Sequence, residues 1–457
     1  MLPGDHPDPS LLRGAKRWYV TSTSGDWLPA FPILRSRNLG DWRQVGSVLP
    51  RLPRWADGDF WAPELVRSGG RVLAYYAASA HGGGRCIAAA SAPRVSGPYR
   101  DHGPLVCSEI GEIDPLPVTD EHGSAWLVWK RDGNSAGKPT PIVAAPLAPG
   151  GLALAGPPHE LFRASEPWEQ GLVEAPALLR RHGLFYLLYS ARRCCGLRCN
   201  YVTGVARAPS LLGPWEKRPE PLLRAGPLFR CPGHGSVARG SGGVPVFAYH
   251  AYVRDDPANR QLLIAGLSVP AEGWPELRPF VASRNRARLQ RLGFEGDRLD
   301  PGWQWPVELR PAVRVADGAL RLGLGALGRQ AGMARFAAQA VIRGRRRGAR
   351  PGLAVMASAE DAVGAELRGR RVVAWRVDEG RRRVVGRVRV RTRRESAVRL
   401  RLSLGSNVRL AVRERGSWRR VGEARPPRWT SGPRVALTVR GRRGARAAFY
   451  SLSIHPR

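Results

Sequence analysis

His6-Pro7-Asp8-Pro9-Ser10 near the start of the chain and Val173-Glu174-Ala175-Pro176 well beyond its first third carry one recurring phrase, and that phrase decides the fold. Its five copies read Asp8-Pro9-Ser10, Trp61-Ala62-Pro63, Asp114-Pro115-Leu116, Glu174-Ala175-Pro176 and His234-Gly235-Ser236, set 53, 53, 60 and 60 residues apart. A fixed period of this size marks a repeat architecture, because each unit is one supersecondary element that cannot bury its own apolar face. After each phrase the chain turns into a second strand of aromatic and β-branched residues: Trp18-Tyr19-Val20, Leu73-Ala74-Tyr75-Tyr76, Trp126-Leu127-Val128-Trp129, Phe185-Tyr186-Leu187-Leu188-Tyr189 and Val246-Phe247-Ala248-Tyr249. The outer halves recur too, since Cys86 to Tyr99 matches Tyr201 to Trp215 and each closes on a Gly-Pro-aromatic turn. Five such units predict a five-bladed β-propeller, with four-stranded sheets set around a channel that the innermost strands line.

If each phrase opens an innermost strand, Asp8, Trp61, Asp114, Glu174 and His234 ring one end of that channel. Three carboxylates then share a partly dry pocket, where like charges raise one another's pKa and separate a proton donor from a proton acceptor. An isolated Asp or Glu beside Pro is an ordinary turn residue. Three in phase favour acid–base chemistry. Trp61 holds the uncharged ring position and offers an aromatic face on which a ligand can stack, with Trp27 and Phe60 as nearby candidates.

With 457 residues, 43% of them hydrophobic, the chain is expected to form two domains. The repeat ends near Gly273-Trp274-Pro275, and a polar stretch from Ala282 to Leu289 follows. From Phe294-Glu295-Gly296-Asp297 onward the chain reads as short alternating segments, such as Val372-Val373-Ala374-Trp375 and Val398-Arg399-Leu400-Arg401-Leu402. Period-two alternation between Gly- and Arg-rich turns predicts a β-sandwich. The expected organisation is all-β: a propeller over 1–281 and a concanavalin-like sandwich over 290–457. No apolar run reaches membrane-spanning length, so no membrane partner is expected. The first phrase arrives within ten residues of Met1, without a basic and then apolar leader, so a truncated or misassigned start is expected. Localisation stays open between secreted, periplasmic and cytoplasmic.

The net charge of +36 is unevenly spread, because 41 basic and 13 acidic residues lie from Arg286 onward. Only four lysines occur (Lys16, Lys130, Lys138, Lys217), and none is in that basic half. Compositional drift from Lys to Arg is the bland account. The sharper one has Arg343-Gly344-Arg345-Arg346-Arg347 and Arg381-Arg382-Arg383 contacting an acidic polysaccharide, with nucleic acid the less favoured partner. Of the six cysteines, Cys194, Cys195 and Cys199 crowd one loop at spacings unlike a zinc ribbon; disulfides among them and Cys231, or buried thiols, are both compatible.

In their order and spacing, these phrases resemble the family 43 glycoside hydrolases. The resemblance is carried by His6-Pro7-Asp8-Pro9-Ser10, Phe60-Trp61-Ala62-Pro63-Glu64, Ile113-Asp114-Pro115, Val173-Glu174-Ala175-Pro176, Asn200 to Arg207, Gly213-Pro214-Trp215 and Gly233-His234-Gly235-Ser236. Trp303-Gln304-Trp305-Pro306 and the strand from Ala447 to Ile454 are similar to the sandwich domain of xylosidase-like members. The resemblance implies single-step inversion at xylosyl or arabinofuranosyl linkages of xylan or arabinan. It makes Asp8 the general base, Glu174 the general acid and Asp114 the carboxylate that orients the acid and raises its pKa. Inversion needs acid and base on opposite faces of the sugar, roughly 6.5–9.5 Å apart, so that water fits between them. The resemblance further makes Arg260 and His234 substrate contacts, and sets His234 beside a water-bound structural Ca2+ in the channel; no cofactor is required for the reaction. The extra domain leans toward exo-action, ahead of endo-arabinanase activity. A non-catalytic carbohydrate-binding propeller with an Arg-rich polyanion-binding sandwich is the alternative. Residues that precede the first phrase in the family help close its propeller, so closure of blade five is the expected weak point.

Overall fold

The computed structural model describes residues 2–253, 256–279, 288–343, 348–391, 397–428 and 432–457. Each phrase leads into a separate four-stranded antiparallel sheet whose strands neighbour one another in chain order. Blade one is Ser10–Arg13, Trp18–Thr21, Ala30–Ser36 and Trp42–Leu49, and blade two is Ala56–Ser68, Arg71–Ala80, Arg85–Ala92 and Arg100–Cys107. Blade three is Glu112–Thr119, Ala125–Arg131, Ile142–Pro146 and His159–Phe162. Blade four is Val173–Arg181, Leu184–Ala191, Val202–Ala208 and Glu216–Lys217, and blade five is Phe229–Arg239, Pro245–Val253, Asp256–Ser268 and Glu276–Pro279. The described residues contain no α-helix, and the sheets do not close into barrels.

The second strands are apolar on both faces because each blade is packed between two others. Phe185, Leu187 and Tyr189 of blade four face Leu116, Val128 and Ile142 of blade three. Tyr186 and Leu188, on the opposite face, meet Phe247, Tyr249 and Ala265 of blade five. Burying one such side chain is worth about 1.5–3 kcal/mol, so these interfaces dominate the stability of the ring. The ring closes through Leu11, Trp18 and Val20 against Ala248, Leu262 and Ile264. The chain start joins this closure: the Leu2 N–H donates to the Leu262 carbonyl at 3.0 Å and the His6 N–H to the Arg260 carbonyl at 2.8 Å.

Every inner strand is kinked at a non-glycine residue of positive φ: Asp8 (53°), Ala62 (48°), Asp114 (59°), Ala175 (55°) and His234 (40°). The kinks show that the phrases are not in strict phase. Asp8, Asp114 and His234 occupy the kink, whereas Trp61 and Glu174 stand one residue before it. The ladder agrees, because Trp61, Ile113 and Glu174 are each the last paired residue before a two-residue bulge. A left-handed backbone costs of order 1–3 kcal/mol per residue, and four of the five kinks precede Pro, which narrows the allowed backbone further. Hydrogen bonds offset this. The kink N–H groups of Ala62, Ala175 and His234 donate to Thr23 Oγ1 (2.7 Å), Asp114 Oδ2 (2.9 Å) and Ser190 Oγ (2.8 Å), each on the preceding blade. That of Asp8 donates to His250 Nδ1 on blade five at 3.1 Å, continuing the pattern around the ring.

Two compact units divide the chain, one of Met1–Leu2 and His6–Asn285, the other of Pro3–Asp5 and Arg286–Arg457. The second unit contains two sheets. In one, Val313–Ala316, Ala319–Leu322, Ala447–Pro456, Phe336–Arg343, Val398–Leu404, Val408–Glu414 and Ser417–Ala424 lie side by side, with Gln290–Gly293 also on Ala447–Pro456. The other is Gly325–Gln330, Arg434–Arg440, Arg350–Met356, Ala362–Arg368, Arg371–Asp378 and Arg381–Arg389. Leu320, Phe336, Leu400 and Leu410 of the first share one core with Leu353, Val363, Leu437 and Val439 of the second. That is the expected sandwich. Most of the polar stretch from Ala282 to Leu289, and residues 344–347 of the first Arg cluster, lie outside the described residues.

Cys194–Cys195 and Cys199–Cys231 are disulfide-bonded, as is Cys86–Cys107. The last pair joins two neighbouring strands of blade two in direct register, a proximity that only the strand pairing creates.

Candidate active site

Asp8 lies at the mouth of the channel with Arg260 Nη1 and His250 Nδ1 each 3.3 Å, and His234 Nδ1 3.4 Å, from its Oδ1. Burial pushes its carboxyl up, but Arg260 and then His234 outweigh that and hold it well below the usual carboxylate range. His250 is fully buried, and desolvation pushes it down to about 4. It is therefore neutral near pH 7, with Nδ1 accepting the Asp8 N–H and the proton assigned to Nε2.

Asp114 belongs to blade three, and its Oδ2 accepts the Ala175 N–H next to Glu174. Burial first, then the nearby charges of Glu174 and Asp8, raise its pKa to about 6 against the pull of His234 and Lys130. Glu174 receives two donors: Lys130 Nζ at 2.7 Å from Oε2 and the Tyr201 hydroxyl at 2.7 Å from Oε1. Lys130 is completely buried and also lies 3.1 Å from Asp132 Oδ1. Desolvation disfavours its charge, yet Glu174, Asp132 and Asp114 raise its pKa on balance, so it stays an ammonium. Tyr201 lies flat on His250 at 5.9 Å. Gly233 permits this, because a Cβ there would fall 2.4 Å from the Tyr201 ring.

The three carboxylates named from the sequence thus meet at one end of the channel. The aromatic candidates do not all follow. Trp61 is half-buried, with the Arg85 guanidinium 4.0 Å above its ring, and Arg85 in turn reaches Asp59 at 3.1 Å and Asp132 at 3.5 Å. Trp27 and Phe60 are 1% and 0% exposed, so neither presents a ring face to a sugar. Their large apolar surface is spent on the core of the propeller. Arg260 and His234 are both engaged with Asp8.

Two residues past three of the kinks, Ser10, Glu64 and Ser236 form a deeper layer of the channel. The Ser236 hydroxyl donates to Glu64 Oε1 at 3.0 Å, and Ser10 bonds the same carboxyl. Burial raises Glu64 to about 8 in spite of both.

His234 lies near His250 and the carboxylates of Asp8 and Asp114, with the Arg260 guanidinium already on Asp8, which is too few oxygens to bind a hard cation directly. Among the described residues no group of three His, Cys, Asp or Glu is arranged to hold a metal. A calcium ion held through water remains an expectation from the resemblance.

A family model, glycosyl hydrolases family 43, matches residues 1–275. The chain belongs to this family. Its relatives include the extracellular endo-alpha-(1->5)-L-arabinanase 1 of Bacillus subtilis, 26% identical over 291 residues, which are 59% of this chain and 86% of that protein. Xylosidase/arabinosidase 43B of Humicola insolens is 29% identical over 239 residues, 49% of this chain and 42% of that protein. In fold, the xylan beta-1,4-xylosidase of Bacillus halodurans C-125 is similar over 99% of both chains, with a TM-score of 0.82 at 20% identity.

Four residues around the carboxylates of this glycosidase escaped the sequence reading. Tyr201 and Glu64 stood inside matched stretches without a role, and His250 sat within an apolar strand, where a histidine reads as structural. Lys130 carried a signal: it is one of only four lysines among 73 basic residues.

Proposed function

We propose that this family 43 enzyme removes terminal β-xylosyl or α-L-arabinofuranosyl groups from plant polysaccharides or their oligomers. The supporting observation is the contrast between carboxylates at one mouth, with Asp8 held anionic by Arg260 and His234 while Asp114 is raised to about 6 beside Glu174. Such divergent environments suit a base and an acid system. In the proposed step Asp8 takes a proton from water as the water oxygen bonds to the anomeric carbon from one face. The electron pair of the breaking glycosidic bond passes to the leaving oxygen, which takes the proton of Glu174 on the other face. Asp114 orients Glu174 through the Ala175 N–H and, when ionised, raises its proton affinity. Exo-action is the reading proposed for the two-domain arrangement. The relatives' names span both pentoses and both modes, so the test is a panel of para-nitrophenyl pentosides and linear oligomers, with the first-formed anomer followed by NMR. Release of single pentoses with inverted configuration supports the proposal; retained configuration, or no turnover of any pentoside, overturns it.

A second activity concerns the basic unit. Within Arg381-Arg382-Arg383, Arg382 pairs with Glu366 at 2.8 Å and covers Trp375, while Arg381 and Arg383 are exposed. Arg350, Arg368, Arg440 and Arg442 instead line one pocket of about 620 Å³ at the end of the six-stranded sheet. We propose that this pocket takes the carboxylates of an acidic polysaccharide. Binding of polygalacturonate that weakens with salt and is lost in an R368S/R440S variant supports it; equal binding of neutral arabinan, or of DNA only, overturns it.

A further inference from the structure

Resting on the assignment of Glu174 as the acid, we propose that Lys130 is a positioning residue that tunes this acid, stabilising the carboxylate that Glu174 becomes once its proton has left with the leaving group. Lys130 comes from the second strand of blade three, touches no part of the channel open to substrate, and acts through Glu174.

An ammonium inside a protein is held only where anions compensate its lost hydration. Here the compensation is divided: 2.7 Å to Glu174 on one side and 3.1 Å to Asp132 on the other. Asp132 is itself shared with Arg85 at 3.5 Å. The charged and titratable groups facing Glu174 are Lys130 and Asp114 from blade three and Tyr201 from its own blade, while His234 of blade five acts on Asp114. Asp114 makes Glu174 a better proton holder, and Lys130 makes it a better proton donor. An acid that must protonate an alkoxide leaving group early in bond breaking needs both influences in balance.

The residue type fits the task. Guanidinium outnumbers ammonium heavily along this chain, with four lysines among 73 basic residues, yet a lysine stands here. A compact point charge on a flexible stem fits a fully enclosed site between two carboxylates, where a planar fork demands more room and more acceptors.

Two substitutions push the balance in opposite directions. In K130M the cation is gone, so Glu174 holds its proton more tightly, and the alkaline limb of the pH–rate profile moves up by about one to three pH units. At the same time turnover of an unactivated pentose disaccharide falls on the order of tenfold or more relative to an aryl pentoside, because proton donation matters most for poor leaving groups. In D132N the ammonium is left to Glu174 alone, and the alkaline limb moves down. Both variants and the wild type are assayed as the full chain, with folding checked by circular dichroism. If K130M does not fold, the sign of the D132N shift decides. Limbs that stay where the wild type has them, or that move the same way in both variants, overturn the proposal. A wild type inert on every pentoside instead refutes the assigned reaction.

Discussion

Replacing Glu64 by Gln isolates a proton that the folded propeller holds and the unfolded chain releases. Burial lifts this carboxyl from its ordinary value of 4.5 to about 8, even with Ser236 and Ser10 bonded to it. A rise of about 3.5 pH units corresponds to about 5 kcal/mol of differential proton binding, and partial access of the side chain to channel water lowers that to about 2–5 kcal/mol. The direction follows from linkage. Below about pH 4.5 both states are protonated and the folded state keeps its full advantage; as pH rises toward about 8 the unfolded chain ionises first, and native stability is lost. The Gln side chain keeps the size and the neutral form but has no proton to release. Wild type is therefore expected to lose about 2–5 kcal/mol relative to E64Q between about pH 5 and about pH 8, or on the order of 10 °C in Tm, and to run parallel to it above that. Urea and thermal unfolding of both proteins at matched pH values measure it, and the difference between them cancels the transition of the sandwich unit. Wild-type and E64Q stability curves that stay parallel across that window refute the reasoning.

Asp8→Ala and Glu174→Ala are each expected to lose at least about a thousandfold in kcat on natural linkages, with Glu174→Ala retaining more activity on aryl pentosides that have good leaving groups; equal residual activity of both variants on every substrate counts against the roles. Asp114→Asn keeps an acceptor for the Ala175 N–H but not the charge, so the alkaline limb of its pH–rate profile is expected to fall, and an unmoved limb removes Asp114 from the tuning of the acid. Lys217→Met takes the ammonium from Glu169, a carboxylate with 0% exposure that keeps the Tyr189 hydroxyl and the Ser165 and Glu166 N–H groups, and is expected to cost about 3 kcal/mol in unfolding experiments without moving the pH optimum.

The blades were legible because sandwiched sheets force a signature on the sequence: a two-faced apolar strand such as Phe185 to Tyr189 after each polar turn, repeated at a near-constant interval. The carboxylates were legible because each stands at or beside a kink that recurs with the blades. What the pattern hid was local geometry. A one-residue offset between Glu174 and Asp114 leaves the spacing nearly unchanged, and only the bulge in the ladder exposes it. Trp27 and Phe60 were read as sugar platforms because an aromatic near a channel phrase looks the same whether its face is open or packed. Lys130 and His250 come from strands remote in sequence from the carboxylates they serve, and their partnership exists only once neighbouring blades are set side by side. Tyr201 reaches Glu174 within its own blade, across the hairpin that separates them in sequence.

Each kink N–H held by the upstream blade has an implication for how the enzyme ages and fails. A blade that detaches takes with it the acceptor that, for four of the five kinks, keeps the next blade's inner strand bent. Turnover should then vanish at the first breach of the circle, well ahead of any gross loss of β-structure, making residual activity a sensitive gauge of whether the propeller is whole.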